Sequence, residues 1–373
     1  MINQRLFDWY KIDTNKDLKI KAVCPRPYDT ILIDKNGSCY ACECTSWLPQ
    51  SIGNLQLKSL DEIIDSSMHK HLQDSIADRT YRYCNNNQCS YLLDDRGPRA
   101  GPKGRPLWYN EGRSGSWPWQ TKKLTTQIKH IRLAIDDSCN LRCPSCRKDL
   151  IFHKEGSAFK LGIKLADKIN DWLHTYKHPI QVHIGSDGDP FASHVYRYFM
   201  EQTPERDNIK YSILTNGLMF KELHTKIPYV INNLQELGVS IDGASKETYE
   251  KLRLGGSWEK INQNFKCISE LKEKHNFRFI LHFVVQKDNY HEMENIIDLG
   301  EQYGADRVWL NKIENWNTFK DWDEQNLFDP LHSDHMGYKI CLNNVVQRIQ
   351  KRDDRFIECP TLINEEVRYK NKN

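Results

Sequence analysis

Three closely spaced cysteines lie between Asp136 and Lys148, in a stretch that reads D-D-S-C-N-L-R-C-P-S-C-R-K. Cys139, Cys143 and Cys146 form a C-x3-C-x2-C pattern directly after an apparent strand. Three thiolates so close in one loop are suited to hold one iron–sulfur cluster. A [4Fe–4S] cluster with three protein ligands keeps one iron open for an exchangeable ligand, as catalytic metal sites do. The pattern therefore indicates a chemical site, and half of a zinc site completed by a distant ligand is the alternative.

The other cysteines also point to metal or redox chemistry. The chain of 373 residues contains twelve cysteines, and its start, Met1 to Lys11, lacks the basic region and apolar core of a secretory signal. We therefore expect a cytoplasmic protein, in which thiols stay reduced and a disulfide framework is not expected. Cys267 stands alone in a helical pattern, and we interpret it as a core thiol.

Composition and charge exclude several classes of function. Lys plus Arg minus Asp plus Glu is 53 − 50 = +3, with the signs interspersed, which does not indicate a nucleic-acid surface. No apolar run approaches the roughly 18 residues that span a bilayer, so no membrane partner is expected. The hydrophobic share of 39% is that of an ordinary globular protein.

The first segment, residues 1–95, resembles a small unit stapled by metal. It is predicted to contain a strand at residues 30–34, a hairpin turn at 35–38 and a helix at 57–73. Residues 96–126, rich in Gly, Pro, Arg and Trp, are interpreted as an ordered linker or lid. Half of the cysteines fall in the first segment, namely Cys24, Cys39, Cys42, Cys44, Cys84 and Cys89.

Strand and helix patterns alternate from residue 127 onward. Strands are predicted near residues 128–135, 180–184, 209–214, 237–241, 277–285 and 307–310, with helical stretches between them, including one at 161–176. Such alternation predicts an α/β fold with parallel strands, and six βα units indicate a partial TIM-like barrel spanning residues 127–325. Residues 326–373 read as a polar tail with one helix at 339–350.

The loops that leave the carboxyl ends of these strands carry distinctive residues. In parallel α/β folds such loops meet on one face and form the site. After the cysteine loop come Gly185-Ser186-Asp187-Gly188-Asp189-Pro190, then Thr215-Asn216-Gly217, Ser240-Ile241-Asp242-Gly243, and finally Gln286 with Asn289.

These motifs resemble those of the radical S-adenosylmethionine (SAM) enzymes, specifically the branch with SPASM or twitch auxiliary-cluster domains. The C-x3-C-x2-C loop is similar to the cluster motif of this family, and Gly188-Asp189-Pro190 to its Gly-Gly-Glu-Pro turn, with Asp in place of Glu. Thr215-Asn216-Gly217 matches the third-strand signature, and the run from Val239 to Lys260 is similar over more than twenty residues.

The resemblance implies that the three cysteines bind a [4Fe–4S] cluster whose open iron chelates SAM. It implies that the backbone and Asp189 of the Gly188-Asp189-Pro190 turn face the SAM amino group, and that Thr215 and Ser240 bind its carboxylate or ribose. Arg147 and Arg253 are candidates for countercharge. Asn216 and Asp242 are further candidate cofactor residues. Ser145 stands where the family usually has an aromatic or large residue near the adenine, so the adenine contacts are unassigned.

The first segment resembles the SPASM or twitch domain, which is more familiar at the C-terminal end. Its spacing, including Gly37 as a turn residue, implies an auxiliary [4Fe–4S] cluster, with structural zinc as the alternative. The implied ligands are Cys24, Cys42, Cys84 and Cys89. A further cluster on Cys39, Cys44, Cys341 and Cys359 is left open.

We therefore expect a radical SAM enzyme of oxidoreductase type that abstracts hydrogen and is reduced by a partner such as flavodoxin or ferredoxin. The preferred substrate is a peptide or protein that is oxidised or crosslinked. The alternative is a dehydrogenase or epimerase of a sugar, aminocyclitol or other small metabolite, in which Cys267, Cys341 or Cys359 could return a hydrogen atom. The alternative from a different class of function is a non-catalytic iron–sulfur or zinc protein.

Overall fold

The computed structural model of the protein describes residues 24–42, 48, 51–84, 125–352, 356–359 and 361–362. They divide into two compact units. The first unit comprises the described residues of Met1–Asp136, Glu155–Ser186 and Gln202–Ile209, and the second those of Asp137–Lys154, Asp187–Glu201 and Lys210–Asn373. Residues 96–124 of the predicted linker lie outside the described ranges. Within those ranges, no helix combines the length and the apolar character that crossing a membrane requires.

The first unit contains a mixed sheet with strand order β5-β4-β1-β2-β3. The β1–β4 and β4–β5 pairs are parallel, whereas β1–β2 and β2–β3 are antiparallel. The strands are β1 (Thr30–Asp34), β2 (Ser38–Tyr40), β3 (Gly53–Asn54), β4 (His130–Ala134) and β5 (Ile180–Ile184). The helices are α1 (Arg26–Asp29), α2 (Leu60–Ile64), α3 (Ser67–Ala77) and α4 (Gly156–Thr175).

Strand β1 extends the parallel part of this sheet. Ile31 lies opposite Ile131 and Ile33 opposite Leu133, and all four side chains are buried. The predicted strand at residues 30–34 and the turn that follows it are confirmed. The parallel pairing with β4 was not foreseen, because nothing in the pattern of a short buried strand specifies its neighbour.

The helix predicted at residues 57–73 is wrong as a single element. The structure forms α2 and α3 instead, each with its own N-cap serine. The Ser59 hydroxyl accepts from the Glu62 amide while the Glu62 carboxylate accepts from the Ser59 amide, which is a capping box. Ser66 then adopts an extended conformation and accepts from the His69 amide, so the chain starts a second helix there.

Helix α4 packs its apolar face within the first unit, and its polar groups contact both α2 and the segment before α2. Leu165, Ile169 and Leu173 are fully buried. The Trp172 indole N–H donates to Asp61 Oδ1 at 2.9 Å, and Lys168 Nζ donates to the Leu55 carbonyl at 2.7 Å. The predicted helix at 161–176 is confirmed and starts one turn earlier.

The second unit contains parallel strands in the order β10-β9-β8-β7-β6. They are β6 (Ile209–Thr215), β7 (Leu234–Ser240), β8 (Arg278–Val285), β9 (Arg307–Lys312) and β10 (Ile357–Glu358). The helices are α5 (His194–Glu201), α6 (Phe220–Leu223), α7 (Pro228–Asn232), α8 (Lys246–Leu252), α9 (Trp258–Lys274), α10 (Met293–Gln302) and α11 (His335–Gln350). Short 3-10 turns span His224–Lys226 and Tyr290–Glu292.

The six strands predicted from residue 127 onward are all present, as β4 to β9. The alternation of strands and helices gives an α/β fold with a mostly parallel sheet, as expected. In the second unit the strands β6, β7 and β8 run side by side, so the loops that leave their carboxyl ends lie at the same edge.

Substitution of Gly37 should destabilise the first unit. Gly37 has a φ of +77°, and an added Cβ would lie 3.0 Å from Leu165 Cδ2. We expect Gly37→Ala to lower the free energy of unfolding by about 2–3 kcal/mol, from backbone strain plus overpacking. Gly156→Ala is the matched control, because its φ is +85° but nothing lies within 4 Å of an added Cβ. Its cost should stay near 1 kcal/mol in urea denaturation, and equal costs for both variants would contradict the packing argument.

Candidate active site

The cysteine loop turns back on itself at Cys143. The Cys143 carbonyl accepts from the Cys146 and Arg147 amides, at 3.0 Å each. Cys139 and Cys143 are buried, whereas Cys146 is exposed. Cys143 and Cys146 thus belong to one hydrogen-bonded turn, and the exposed Cys146 gives this turn access to solvent.

Two backbone hydrogen bonds anchor this loop within the second unit. The Cys139 amide donates to the Ile151 carbonyl at 2.9 Å, and the Arg142 amide donates to the Leu254 carbonyl at 3.0 Å. The first bond closes the loop. The second attaches it to the segment that follows α8, so the cysteines are held by the sheet and helix framework of this unit.

Three N–H groups point at the buried sulfurs. The Leu141 amide and Asn216 Nδ2 donate to Cys139 Sγ at 3.4 and 3.7 Å. Arg253 Nη1 donates to Cys143 Sγ at 3.8 Å. Donors at these positions stabilise negative charge on sulfur, which is what a metal-bound thiolate carries.

Burial favours the protonated form of the Cys139 and Cys143 thiols while no metal is bound. Burial, with a further contribution from the charge of Asp189, raises the pKa of Cys139 to about 11. Burial also raises the pKa of Cys143, and the Arg253 guanidinium opposes that rise. Binding of a metal cluster must therefore release protons from this loop.

The Asp189 carboxylate ties two strand-end loops together. Its Oδ2 accepts from Thr215 Oγ1 and from the Asn216 amide, both at 2.7 Å. Its Oδ1 accepts from the Phe191 and Ala192 amides at 3.1 and 3.0 Å. Asp189 is buried, so these four donors replace the water that the carboxylate loses.

The Gly188-Asp189-Pro190 turn also contacts the cysteine loop through its backbone. The Asp189 amide donates to the Ser138 carbonyl at 2.8 Å, directly before the first cysteine. Gly188 has a φ of +67°, which suits glycine. The structure thus brings together the turn, Thr215, Asn216 and the cysteines, while the proposed contact between Asp189 and the SAM amino group stays a prediction.

The residue after α8, Arg253, forms a buried ion pair with Asp242. Arg253 Nη2 lies 2.8 Å from Asp242 Oδ2, and the two side chains are 11% and 3% exposed. Asp242 has a left-handed φ of +53°, and its other oxygen accepts from the Val284 amide at 2.8 Å. Asn289 Nδ2 donates to the Asp242 carbonyl at 3.0 Å, so the loops after β7 and β8 hold the ion pair in place.

Arg147 and Ser240 occupy more open positions. Arg147 Nη1 donates to the Asp137 carbonyl at 2.8 Å. Burial opposes the charge of this guanidinium, but a side-chain hydrogen bond to Cys146 raises the pKa of Arg147. Ser240 ends β7, lies opposite His282 on β8 and is half-buried. Their assigned contacts with SAM stay predictions.

In the first unit, Tyr81 links two of the predicted auxiliary ligands. The Cys24 amide donates to the Tyr81 hydroxyl at 3.1 Å, and the Cys84 amide donates to the Tyr81 carbonyl at 2.8 Å. Cys24, Cys42 and Cys84 are half-buried. Cys89, the fourth predicted ligand, lies outside the described residues, as does Cys44.

Three of the remaining cysteines behave as packing residues or isolated thiols. Cys39 is buried, its Sγ contacts the Gly37 carbonyl at 3.6 Å, and burial raises the pKa of this thiol to about 12. Burial likewise raises the pKa of Cys359 to about 12, whereas Cys341 is half-buried on α11. The sequence leaves a further cluster on these residues open.

Two family models match the chain. The model described as the radical SAM superfamily matches residues 135–300. The SPASM model, described as an iron–sulfur cluster-binding domain, matches residues 24–90. The chain belongs to the radical SAM superfamily. Its SPASM domain is N-terminal, and the fold class predicted from the sequence is that of this superfamily.

The curated relatives of this radical SAM chain are distant. A GTP 3',8-cyclase of Limosilactobacillus fermentum is 23% identical over 212 residues, which are 55% of this chain and 61% of the relative. A probable GTP 3',8-cyclase of Methanococcus maripaludis is 25% identical over 147 residues, 39% of this chain and 47% of the relative. The chain thus spans about half to three fifths of the length of these proteins.

Similar solved structures include Streptococcus suis SuiB bound to its precursor peptide SuiA, with 15% identity and a TM-score of 0.43 over 62% of this chain and 48% of that chain. Another is anSMEcpe with bound AdoMet, with 17% identity and a TM-score of 0.36 over 50% of this chain and 51% of that chain. Similarities at these TM-scores carry no information about substrate.

The side chains around the cysteine loop fit the cluster and the SAM that radical SAM enzymes use. Besides the three N–H groups on the buried sulfurs, Arg253 Nε and the Tyr249 hydroxyl are buried and have no hydrogen-bond partner among the described residues. Buried donors without acceptors are costly, and an anionic group bound at the loop would satisfy them.

Sequence reasoning missed Glu292, which braces the loop after β7. Its carboxylate accepts from the Ala244 amide at 2.6 Å, the Ser245 hydroxyl at 2.5 Å and the Thr248 hydroxyl at 2.7 Å, so it fixes the start of α8. Arg253 follows the other end of this helix. The N-cap sequence at Ser245 was visible in the chain, but no local signal identifies a partner more than forty residues away.

Replacement of the Asp189 carboxylate should destabilise the second unit. We expect Asp189→Asn to lower the free energy of unfolding by about 2–4 kcal/mol, because buried donors lose their acceptor. Asp288→Asn is the matched control, since that carboxylate is 33% exposed and pairs only with Lys251 among the described residues, at 3.0 Å. Its cost should stay below about 1 kcal/mol. Urea denaturation measures both, and equal midpoints would refute the role of Asp189.

Proposed function

We propose that this radical SAM enzyme cleaves SAM at a [4Fe–4S] cluster held by Cys139, Cys143 and Cys146, and oxidises its substrate by hydrogen abstraction. The single observation that carries the proposal is the set of N–H groups aimed at Cys139 and Cys143. A structural zinc site needs a fourth protein ligand. The three-cysteine cluster instead leaves one coordination position for the cofactor.

The bound cofactors supply the difficult chemistry: one electron from the reduced cluster cleaves the SAM sulfonium to methionine and a 5'-deoxyadenosyl radical, which takes a hydrogen atom from the substrate. The protein positions the cofactors and shields the reaction from solvent. Asp189 holds Thr215 and Asn216 at the edge of the cysteine loop. The backbone of Gly188, Asp189 and Pro190 then offers carbonyl acceptors for the SAM amino group.

The remaining SAM contacts are assigned to hydroxyl and guanidinium side chains. Ser240 and Thr215 would meet the carboxylate or ribose through their hydroxyl groups, since a hydroxyl both donates and accepts. Arg147 is the better candidate for countercharge to the carboxylate, because it is half-buried, whereas Arg253 is buried and its charge is already paired with Asp242. Asn216 and Asp242 are assigned indirect roles: Asn216 donates to Cys139, and Asp242 pairs with Arg253.

Cys24, Cys42, Cys84 and Cys89 are proposed to hold the auxiliary cluster of the SPASM domain. When bound, this cluster would accept the one electron that the substrate gives up after hydrogen abstraction, with one proton passing to solvent, so that the substrate would be oxidised by two electrons in total. The electron that starts the cycle comes from a reduced protein such as flavodoxin or ferredoxin. The meeting of the Cys24 and Cys84 backbones at Tyr81 supports a shared site.

The proposed substrate is a peptide or protein, which would be oxidised or crosslinked. This assignment follows from the resemblance to the SPASM branch, where such modification is common. A small metabolite is the second candidate, and the curated relatives favour it, because they are named for a reaction of GTP. Either substrate uses the same radical chemistry, so the two candidates differ only in what binds beside SAM.

Anaerobic reconstitution followed by reduction tests the cofactor assignments. The wild-type chain should bind about eight irons, the sum of two [4Fe–4S] clusters, and release 5'-deoxyadenosine from SAM. Cys143→Ala should lose about four irons and all SAM cleavage. Cys84→Ala should also lose about four irons but retain SAM cleavage without substrate. Cys267→Ala, half-buried on α9, is the control and should match wild type. Bound zinc with no SAM turnover would refute the proposal.

Deuterium transfer distinguishes the two substrate classes. A short precursor peptide encoded beside the gene, deuterated at one residue type at a time, should pass deuterium to 5'-deoxyadenosine and lose two hydrogen atoms from its mass. Transfer from a deuterated nucleotide or sugar, and none from any such peptide, would replace the peptide assignment with the small-metabolite one.

A further inference from the structure

The Arg253 guanidinium lies between a carboxylate and a cluster ligand. Its Nη2 is 2.8 Å from Asp242 Oδ2, and its Nη1 donates to Cys143 Sγ at 3.8 Å. Asp242, Cys143 and Arg253 are all buried. Water therefore screens the charges of this group very little, and each charge acts on the sulfur at close range.

The arrangement is held from several sides. The Arg253 amide donates to the Tyr249 carbonyl at 2.8 Å, as the last turn of α8 requires. The next residue, Leu254, accepts from the Arg142 amide inside the cysteine loop. The guanidinium and the loop that it contacts are thus linked by a backbone hydrogen bond at Arg142, the residue before Cys143.

Asp242 is equally constrained. Its φ of +53° places it in the left-handed region, and its Oδ1 accepts from the Val284 amide at 2.8 Å. Burial opposes ionisation of Arg253, but the Asp242 carboxylate raises the pKa of the guanidinium, which stays charged. The pair is a fixed dipole whose positive end faces Cys143.

A fixed positive group beside a cluster ligand changes the energy of adding an electron. Reduction makes an iron–sulfur cluster more negative, and hydrogen bonds and net charge around the sulfurs set its potential. The Arg253 guanidinium stabilises the reduced form, whereas the Asp242 carboxylate behind it weakens that effect. Arg253 therefore raises the reduction potential of the cluster, and Asp242 lowers it.

We propose that the Arg253–Asp242 pair sets the reduction potential of the cluster on Cys139, Cys143 and Cys146. This inference rests on the proposed function and names two positioning residues for it. Their role differs from that of a SAM contact, because each terminal nitrogen of Arg253 already has a protein partner, Cys143 or Asp242. The pair controls how readily the enzyme accepts the electron that starts its cycle.

Redox titration of the three-cysteine cluster tests the inference. The Cys84→Ala chain is used as the parent, so that one cluster gives the EPR signal of the reduced state. Asp242→Asn should raise the midpoint potential, because the guanidinium loses its opposing charge. Arg253→Gln should lower it, because the hydrogen bond and positive charge disappear while the carboxylate remains. Arg253→Lys keeps the charge and should fall between the parent and Arg253→Gln.

A matched control and a binding measurement separate the possible causes of a shift in midpoint potential. Arg278→Gln removes a half-buried guanidinium that pairs with Glu236 at 2.8 Å on β8 and β7, and should leave the potential unchanged. The SAM dissociation constant, measured by equilibrium dialysis of each variant, should change less than threefold. If Arg253→Gln does not load iron, the opposite shifts of Asp242→Asn and Arg253→Lys still decide the question.

Unchanged potentials in Asp242→Asn and Arg253→Lys, or shifts of the same sign, would overturn the inference. So would a loss of SAM affinity with no change in potential, which would make Arg253 a cofactor contact. These outcomes leave the proposed function intact, because the parent would still bind iron and cleave SAM. A parent that binds no cluster at all would overturn the proposed function and remove the basis of the inference with it.

Discussion

The buried Asp189 carboxylate is the interaction on which the arrangement of the candidate site depends. A carboxylate removed from water needs donors for both oxygens, and Asp189 takes them from Thr215, Asn216 and its own turn. That requirement draws the loop after β6 against the Gly188-Asp189-Pro190 turn. The Asn216 side chain then donates to Cys139 Sγ. The hydrogen bonds that satisfy Asp189 therefore also position a donor at a predicted cluster ligand.

Much of the fold and the outline of the site could be predicted because local chemistry fixes them. Strands β4 to β9 carry apolar patterns with turn residues at their ends, and parallel strands bring their carboxyl ends to one edge. The spacing of Cys139, Cys143 and Cys146 needs no distant partner to be recognised. Gly37 was expected to turn a hairpin, and its φ of +77° agrees.

The rest could not be predicted because it depends on contacts between residues far apart in the chain. The parallel pairing of β1 with β4 and the bracing of α8 by Glu292 have no local signature. Arg253 was a candidate for countercharge to the SAM carboxylate, and that contact stays a prediction. The structure adds Asp242 and Cys143 as its protein partners, which only the packing of the second unit brings into reach.

The central claim is that the three-cysteine cluster presents an open iron to SAM. The most direct test is electron–nuclear double resonance of the reduced Cys84→Ala chain, with SAM labelled by 15N at the amino group and by 17O at the carboxylate of its methionine part. The account predicts hyperfine coupling from both labels to the cluster. A reduced [4Fe–4S] signal that shows no coupling to either label, with SAM present in excess, would contradict it.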